Sequence, residues 1–416
     1  MKPWDQITHY VGFDWAKDHH DVVIVDRQGE IVADFQFVHS LAGWKEFGEK
    51  IKTYPGLAVA IETNQGAAID QLLQTGCTIY PLNPLSAKRY RERKKPSGVK
   101  TDRIDAWAFG DALRVDGRQW NALKPLDPLT QEIKLLCRDE MGLIEQRTAL
   151  VNQLQQALLE YYPAALEAFD DWTQRYCWEF VITFPTPALL VKAKSGRWNR
   201  FLHTHKLWRP ETVQGRLDIF QRADEFAGSQ AITSAKSLLA VSLAKMLRIL
   251  DDHLEAYHQR IRQLFNQHPD HDLFGSLPGA GKTLAPRLLA EIGGDPNRYP
   301  DTQSLQGISG TAPVSFQSGQ IYRVKVRRQC NKALRHIIHL WANCSRAACN
   351  WAQTYYETKR KEGKSHACAL RCLGQRWLKI IWKMIQTRTA YDGELHAKNQ
   401  QKHGSWVLQL NPQKPA

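Results

Sequence analysis

The 416 residues are too many for one ordinary core and point to two or three domains. With 43% hydrophobic and 10% aromatic residues the chain can bury cores, which excludes global disorder, and no apolar run nears the roughly 18 residues that span a bilayer. A net charge of +14 calls for a polyanionic partner, nucleic acid ahead of an anionic membrane surface.

The start, Met1-Lys2-Pro3-Trp4-Asp5, has no signal-peptide apolar region, so a cytoplasmic protein without a membrane partner is expected. Tyr10 to Trp15 reads as a short buried strand carrying an acid, Asp14, at its end. Asp21 to Asp26 and Ile31 to Val38 follow at hairpin spacing around Arg27-Gln28-Gly29. An amphipathic helix is predicted from Leu41 to Ile51, a strand from Leu57 to Glu62, a helix from Ala67 to Leu73 and a strand from Cys77 to Leu82. This is an α/β domain with a mixed sheet, and in such sheets ligand sites lie at strand carboxyl ends or helix N-termini.

Next comes the most basic run of the chain: Lys88, Arg89, Arg91, Arg93, Lys94 and Lys95. It leads into Lys100-Thr101-Asp102-Arg103-Ile104-Asp105-Ala106. With Thr101 as N-cap, Asp102 and Asp105 share one face of the first helical turns. A hard divalent cation, or Lys100 with Arg103, offsets their repulsion, whereas taken alone such a pair merely complements the helix dipole. Asp14 and Glu62, each at the end of an apolar strand, add two more acids at the edge of the same sheet. Strand-end solvation, the ordinary reading of each acid alone, accounts poorly for that coincidence, and the basic run would bring a phosphate backbone toward the same edge.

From Leu129 the pattern turns helical. Ile133, Cys137, Met141, Ile144, Thr148, Val151, Leu154 and Leu158 form one stripe, and Leu239, Leu243, Met246, Leu250, Leu254, Tyr257, Ile261 and Leu264 form another. They predict an antiparallel helical hairpin or coiled-coil stalk, or two helices of an ordinary bundle. Between them Trp172, Trp178, Trp198 and Trp208 alternate with basic residues, which suits bases stacking on rings; an aromatic core with a basic rim is the alternative.

Leu277-Pro278-Gly279-Ala280-Gly281-Lys282-Thr283 ends like a P-loop, but Ser276 stands where the first glycine belongs. Leu277 to Gly293 reads better as a helix-hairpin-helix element, with Lys282 at the turn, holding a phosphate on backbone amides. In Gly310 to Arg328, Ser318 precedes Gly319 and a dense basic stretch at Arg323, Lys325, Arg327 and Arg328. Such a serine can present its hydroxyl to a phosphodiester while the cations offset developing charge. Helices from Ala333 to Met384 form a packed core with a basic exterior, and the tail after Asp392 is expected to be mobile. The eight cysteines show no C-x-x-C pair and are expected to be buried reduced thiols.

The ordered set of VGFDWAKDHHDVVIVD, IETNQG, KTDRIDA and GTAPVSFQSG resembles the DEDD-type insertion-sequence transposases, described as bridge-RNA-guided serine recombinases and related to pilin-gene invertases. The likeness runs from about Tyr10 to Tyr391. It implies a RuvC-like, ribonuclease H-type catalytic domain over 1–125 and a helical, coiled-coil middle with a Trp-rich insertion over 126–270. A mainly helical C-terminal transposase domain over 271–392 and a tail over 393–416 complete the division. It further implies that Asp14, Glu62, Asp102 and Asp105 bind magnesium, two ions per site, and that Ser318 forms a covalent phosphoserine link to DNA. Donor and target DNA, a structured non-coding guide RNA and a homo-oligomer, dimer or tetramer, are the implied partners. Relatives often carry two adjacent serines before the glycine; here Gln317 precedes Ser318 and Ser315 lies three residues upstream. A RuvC-like nuclease or junction resolvase, which uses the acids without the serine, is the alternative.

Overall fold

The computed structural model describes residues 3–63, 66–94 and 101–404, with Lys94 described in its backbone alone. Two compact units divide it, Met1–Pro125 and Leu126–Ala416.

The first unit contains β1 (His9–Trp15), β2 (His19–Val25), β3 (Ile31–Val38), α1 (Leu41–Ile51), β4 (Leu57–Ile61), α2 (Ala67–Gln74), β5 (Thr78–Pro81), α3 (Pro84–Lys94) and α4 (Asp102–Asp116). Its sheet runs β3-β2-β1-β4-β5, antiparallel from β3 to β1 and parallel from β1 to β5. All of β4 is buried, as a strand covered on both faces requires, whereas edge strand β3 turns only Ala33, Phe35 and Phe37 inward. The hairpin turn forms as the sequence predicts: the Asp26 carboxylate accepts from the amides of Gln28, Gly29 and Glu30, and Gly29 takes φ +94°.

Two glycines fix how α4 meets this sheet. A Cβ on Gly12 would stand 1.6 Å from the Ala106 carbonyl oxygen, and one on Gly110 would stand 2.9 Å from the Gly12 nitrogen. Helix backbone therefore lies directly on β1, with the first turn of α4 toward the carboxyl end of the strand.

The second unit opens with α5 (Pro128–Tyr161), α6 (Pro163–Ala168), α7 (Arg175–Thr183), α8 (Pro187–Thr204), α9 (Pro210–Gln221) and α10 (Gln230–Gln267). Helices α5 and α10 pack in opposite directions: Glu132 meets Arg260 at 2.6 Å, Arg147 meets Asp251 at 3.6 Å and Glu160 meets Lys236 at 2.8 Å. The Trp-rich stretch corrects the expectation of base stacking. Trp172, Trp178 and Trp198 are buried in an aromatic core, their indole N–H groups donating to the carbonyls of Phe169, Trp172 and Leu190. Of the four tryptophans, Trp208 is exposed, stacked on His203 with ring centroids 4.3 Å apart.

The unit continues through α11 (His271–Gly275), α12 (Gly281–Ile292), α13 (Thr302–Ile308), β6 (Val314–Ser318), β7 (Ile321–Lys325), α14 (Lys332–Ala348), α15 (Asn350–Lys361), α16 (His366–Thr387) and α17 (Gly393–Lys402). Their shared core centres on Trp341 and Trp377, whose tilted rings lie with centroids 4.8 Å apart. Buried charges tie α12 into it. Glu140 of α5 meets Arg287 at 2.8 Å and His258 at 2.7 Å, while Glu291 meets Arg138 at 2.7 Å. Within the segment after Asp392 that the sequence marks as a tail, Asp392 caps helix α17, accepting from the amides of Glu394 and Leu395. Residues 405–416 lie outside the described residues. All eight cysteines are free thiols, and among the described residues no helix is long and apolar enough to cross a membrane.

Candidate functional site

The carboxyl end of β1 in the central sheet collects acids from four elements, β1, β2, the end of β4 and α4. Antiparallel register sets Asp14 of β1 opposite Asp21 of β2. Parallel register pairs Phe13 with Ile61, so Glu62, the residue after Ile61, ends up beside Asp14. Helix α4 supplies the other pair from its first turn, where Thr101 caps by accepting from the Ile104 amide at 3.2 Å. Asp102 is exposed, while Asp105 is only 4% exposed.

Crowding shows in the electrostatics of Asp14. Burial, then the charges of Asp105, Asp102, Glu62 and Asp21 in that order, push its carboxyl from 3.8 up to about 7. Of the acids read from the sequence, Asp105, Asp102 and Glu62 are thus near enough to raise Asp14. Arg91 offsets one of them, its Nη1 donating to both oxygens of Asp105 at 2.8 and 2.9 Å.

Among the described residues, the groups whose ligand atoms already meet within a cation's reach are His19, Asp21 and Asp102, all within 4.8 Å of one another. Sequence reading did not single out His19 or Asp21. The register of the β1–β2 hairpin places them there. An oxygen-rich set of this kind with one imidazole fits a hard divalent cation.

The basic run lies on α3, where Lys88, Arg89 and Arg93 are exposed and Lys88 stands 3.6 Å from Glu92. Arg91 is turned instead onto Asp105. Arg103 pairs with Asp34. The side chain of Lys94, and Lys95 and Lys100 altogether, lie outside the described residues.

In the second unit Ser318 ends β6 at the tip of a hairpin with β7, whose ten strand residues are all exposed. What the sequence suggested as a loop is a two-stranded ribbon closed at Gly319, which takes φ +55°. Ser318 pairs with Ile321, Phe316 with Arg323 and Val314 with Lys325, so serine and both cations share one face of the ribbon. Ser315 lies on the other face, its hydroxyl 3.1 Å from that of Tyr322. Arg328 is exposed, and Arg327 donates to the Ala312 carbonyl at 3.3 Å. Lys282 stands exposed in the first turn of α12, after a turn pressed so closely on α14 that a Cβ at Gly279 would lie 2.8 Å from the Cys344 carbonyl.

Comparison with known proteins accounts for both regions. Residues 11–163 match the DEDD transposase model of the IS110 group, and residues 271–357 match the model described as Transposase IS116/IS110/IS902 family. The mini-circle putative transposase for IS117 of Streptomyces coelicolor is 32% identical over 413 residues, covering 93% of this chain and 96% of that protein. An IS110 insertion-element protein of 43.6 kDa from the same organism is 26% identical, covering 94% and 98%. An IS900 protein of 42 kDa from Mycobacterium paratuberculosis is 29% identical, covering 92% and 96%.

Proposed function

Because the chain belongs to the IS116/IS110/IS902 family of insertion-sequence transposases, we propose that it cuts and rejoins DNA with a carboxylate-held divalent metal and a serine nucleophile. The strand order β3-β2-β1-β4-β5 supports a RuvC-like, ribonuclease H-type first domain. Asp14, Glu62, Asp102 and Asp105 hold magnesium there, two ions per site, with His19 and Asp21 as further ligands. When bound, the metal polarises the phosphodiester and offsets charge on its attacking and leaving oxygens.

One observation carries this reading: Asp14 is held half-buried among other carboxylates, and burial first, then the charges of Asp105, Asp102, Glu62 and Asp21, push its carboxyl up to about 7. So many acids at one sheet edge are an electrostatic cost to the metal-free fold, and a bound cation relieves it.

Ser318 supplies the nucleophile. Its Oγ bonds to phosphorus, the bond from phosphorus to a deoxyribose oxygen breaks, and that oxygen leaves as a hydroxyl carrying the serine's proton. The phosphoserine ester keeps the bond energy, so attack by the hydroxyl of another strand rejoins DNA and returns the free serine without ATP. Arg323 and Lys325, on the same face of the ribbon, offset charge on the phosphoryl oxygens. The exposed cations Lys88, Arg89, Arg93, Lys282 and Arg328 bind phosphate backbones, and Lys94, Lys95, Lys100, Arg103 and Arg327 join them. A structured non-coding RNA selects donor and target, and the chain works in the cytoplasm as a homo-oligomer.

A supercoiled donor and target pair tests the scheme. Asp102→Ala and Ser318→Ala should each abolish recombination, and the covalent protein–DNA adduct should vanish in Ser318→Ala but persist in Ser315→Ala. An adduct that survives Ser318→Ala moves the nucleophile elsewhere. Metal-dependent cleavage with no adduct in any form establishes the resolvase-like alternative.

A further inference from the structure

Helices α15, α16 and α17 line an open-mouthed cavity of about 260 Å³ that the carboxylate and serine chemistry does not use. Trp351 and Tyr355, one turn apart on α15, give it an aromatic side. The Trp351 ring is held in place, its N–H donating to the Tyr391 hydroxyl at 3.0 Å, with the Trp377 ring tilted against it at 4.6 Å between centroids and the His396 ring at 4.9 Å. It is a fixed plate.

The facing wall is polar. His396, Asn399 and Gln400 of α17, and His403 at its C-cap, follow the spacing of a single helix face, and all four line the cavity. Gln400 and His396 contact each other at 2.9 Å, which orients the carboxamide. Arg376 and Lys379, both exposed, add the cations from α16, the Arg376 guanidinium lying 5.6 Å over the Tyr355 ring.

A flat aromatic plate, carboxamides that donate and accept, and two cations are together the requirements of a nucleotide. The base stacks, its edge hydrogen-bonds, and its phosphate meets the cations. An acidic peptide would satisfy Arg376 and Lys379 but leave the plate and the carboxamides unmatched. The surroundings favour a polyanion, with eleven Lys and Arg against four Asp and Glu between residues 350 and 404. The volume lies just under the roughly 300 Å³ at which pockets for drug-sized ligands begin, so it suits one base with its sugar.

We propose that this cavity captures a single unpaired nucleotide of the nucleic acid on which the protein acts. The proposal rests on the protein's binding nucleic acid and is independent of which residues carry the chemistry.

The test uses the full chain and fluorescence anisotropy with four 12-nucleotide probes: oligo(dT), oligo(rU), and the abasic backbone of each. At least one intact strand should bind roughly tenfold tighter than its abasic counterpart, the gain expected for a stacked base. The strand that shows the gap, DNA or RNA, identifies the source of the nucleotide. Asn399→Ala with Gln400→Ala, at the cavity wall and outside the core, should shrink the gap to twofold or less while leaving abasic binding unchanged. Trp351→Ala should do the same, provided its melting curve matches the parent's. Equal binding of intact and abasic strands overturns base capture while leaving nucleic-acid binding intact. A gap that survives the double variant overturns the assignment to this cavity, and no binding to any probe overturns both readings.

Discussion

Asp14 takes up a proton when the chain folds. Unfolded, its carboxyl has an ordinary value of 3.8; folded, burial and the neighbouring acids carry it to about 7. Between those values the folded state binds more protons than the unfolded one, so the group's contribution to stability falls as pH rises from about 4 to 7. His20 runs the other way: burial, then His39 and His19, push it from 6.5 down to about 4, and its contribution is lost as pH falls through that range. Comparing variant with parent isolates Asp14. In EDTA, Asp14→Asn should raise the melting temperature at pH 7 more than at pH 4.5, and an equal change at both would show that Asp14 is ordinarily ionised in the fold. Asp14, Glu62, Asp102 and Asp105 were legible from sequence because each follows an apolar strand or a capping threonine. His19 and Asp21 were not, because a one-residue change in hairpin register would turn them to the opposite face.

Helix α4 is placed by backbone contact. A methyl at Gly12 would stand 1.6 Å from the Ala106 carbonyl, so Gly12→Ala forces helix and strand apart and shifts Asp102 and Asp105 together. Overpacking of this kind costs about 1–3 kcal/mol. Gly12→Ala should therefore lower stability in urea and, on the proposed metal site, also weaken the rise in melting temperature that added magnesium is expected to give. A variant that is less stable yet keeps the full magnesium effect would show that this contact does not position the acids. Strand β3 and helix α1 have the limits that their periodicity predicts, Ile31–Val38 and Leu41–Ile51. Helix α17 was hidden because its sequence, GELHAKNQQK, buries nothing and so carries no apolar stripe. Alternation of tryptophan and basic residues misled for a related reason. In a helical segment neighbours in sequence point to different faces, so rings can fill a core while the cations beside them stay in water.

The net charge of +14 belongs to the molecule as a whole and sets how it meets DNA before any chemistry. Binding of this kind releases counterions, so affinity for non-specific duplex should fall by roughly 10³–10⁵ between about 50 and 200 mM salt for 6–10 phosphate contacts. Filter binding across that range measures it, and a flat profile would mean that the surface cations do not contact the backbone. Sequence composition alone made this property legible.

The ribbon of β6 and β7 has a further consequence. Among the described residues its strands pair only with each other, and Val314, Phe316, Ile321, Tyr322 and Val324 stand in solvent. Open strand edges with apolar side chains invite a neighbour to add another strand. The segment that presents Ser318 is therefore also where a concentrated stock of the protein begins to self-associate, and a bound polyanion that covers the ribbon doubles as a solubiliser.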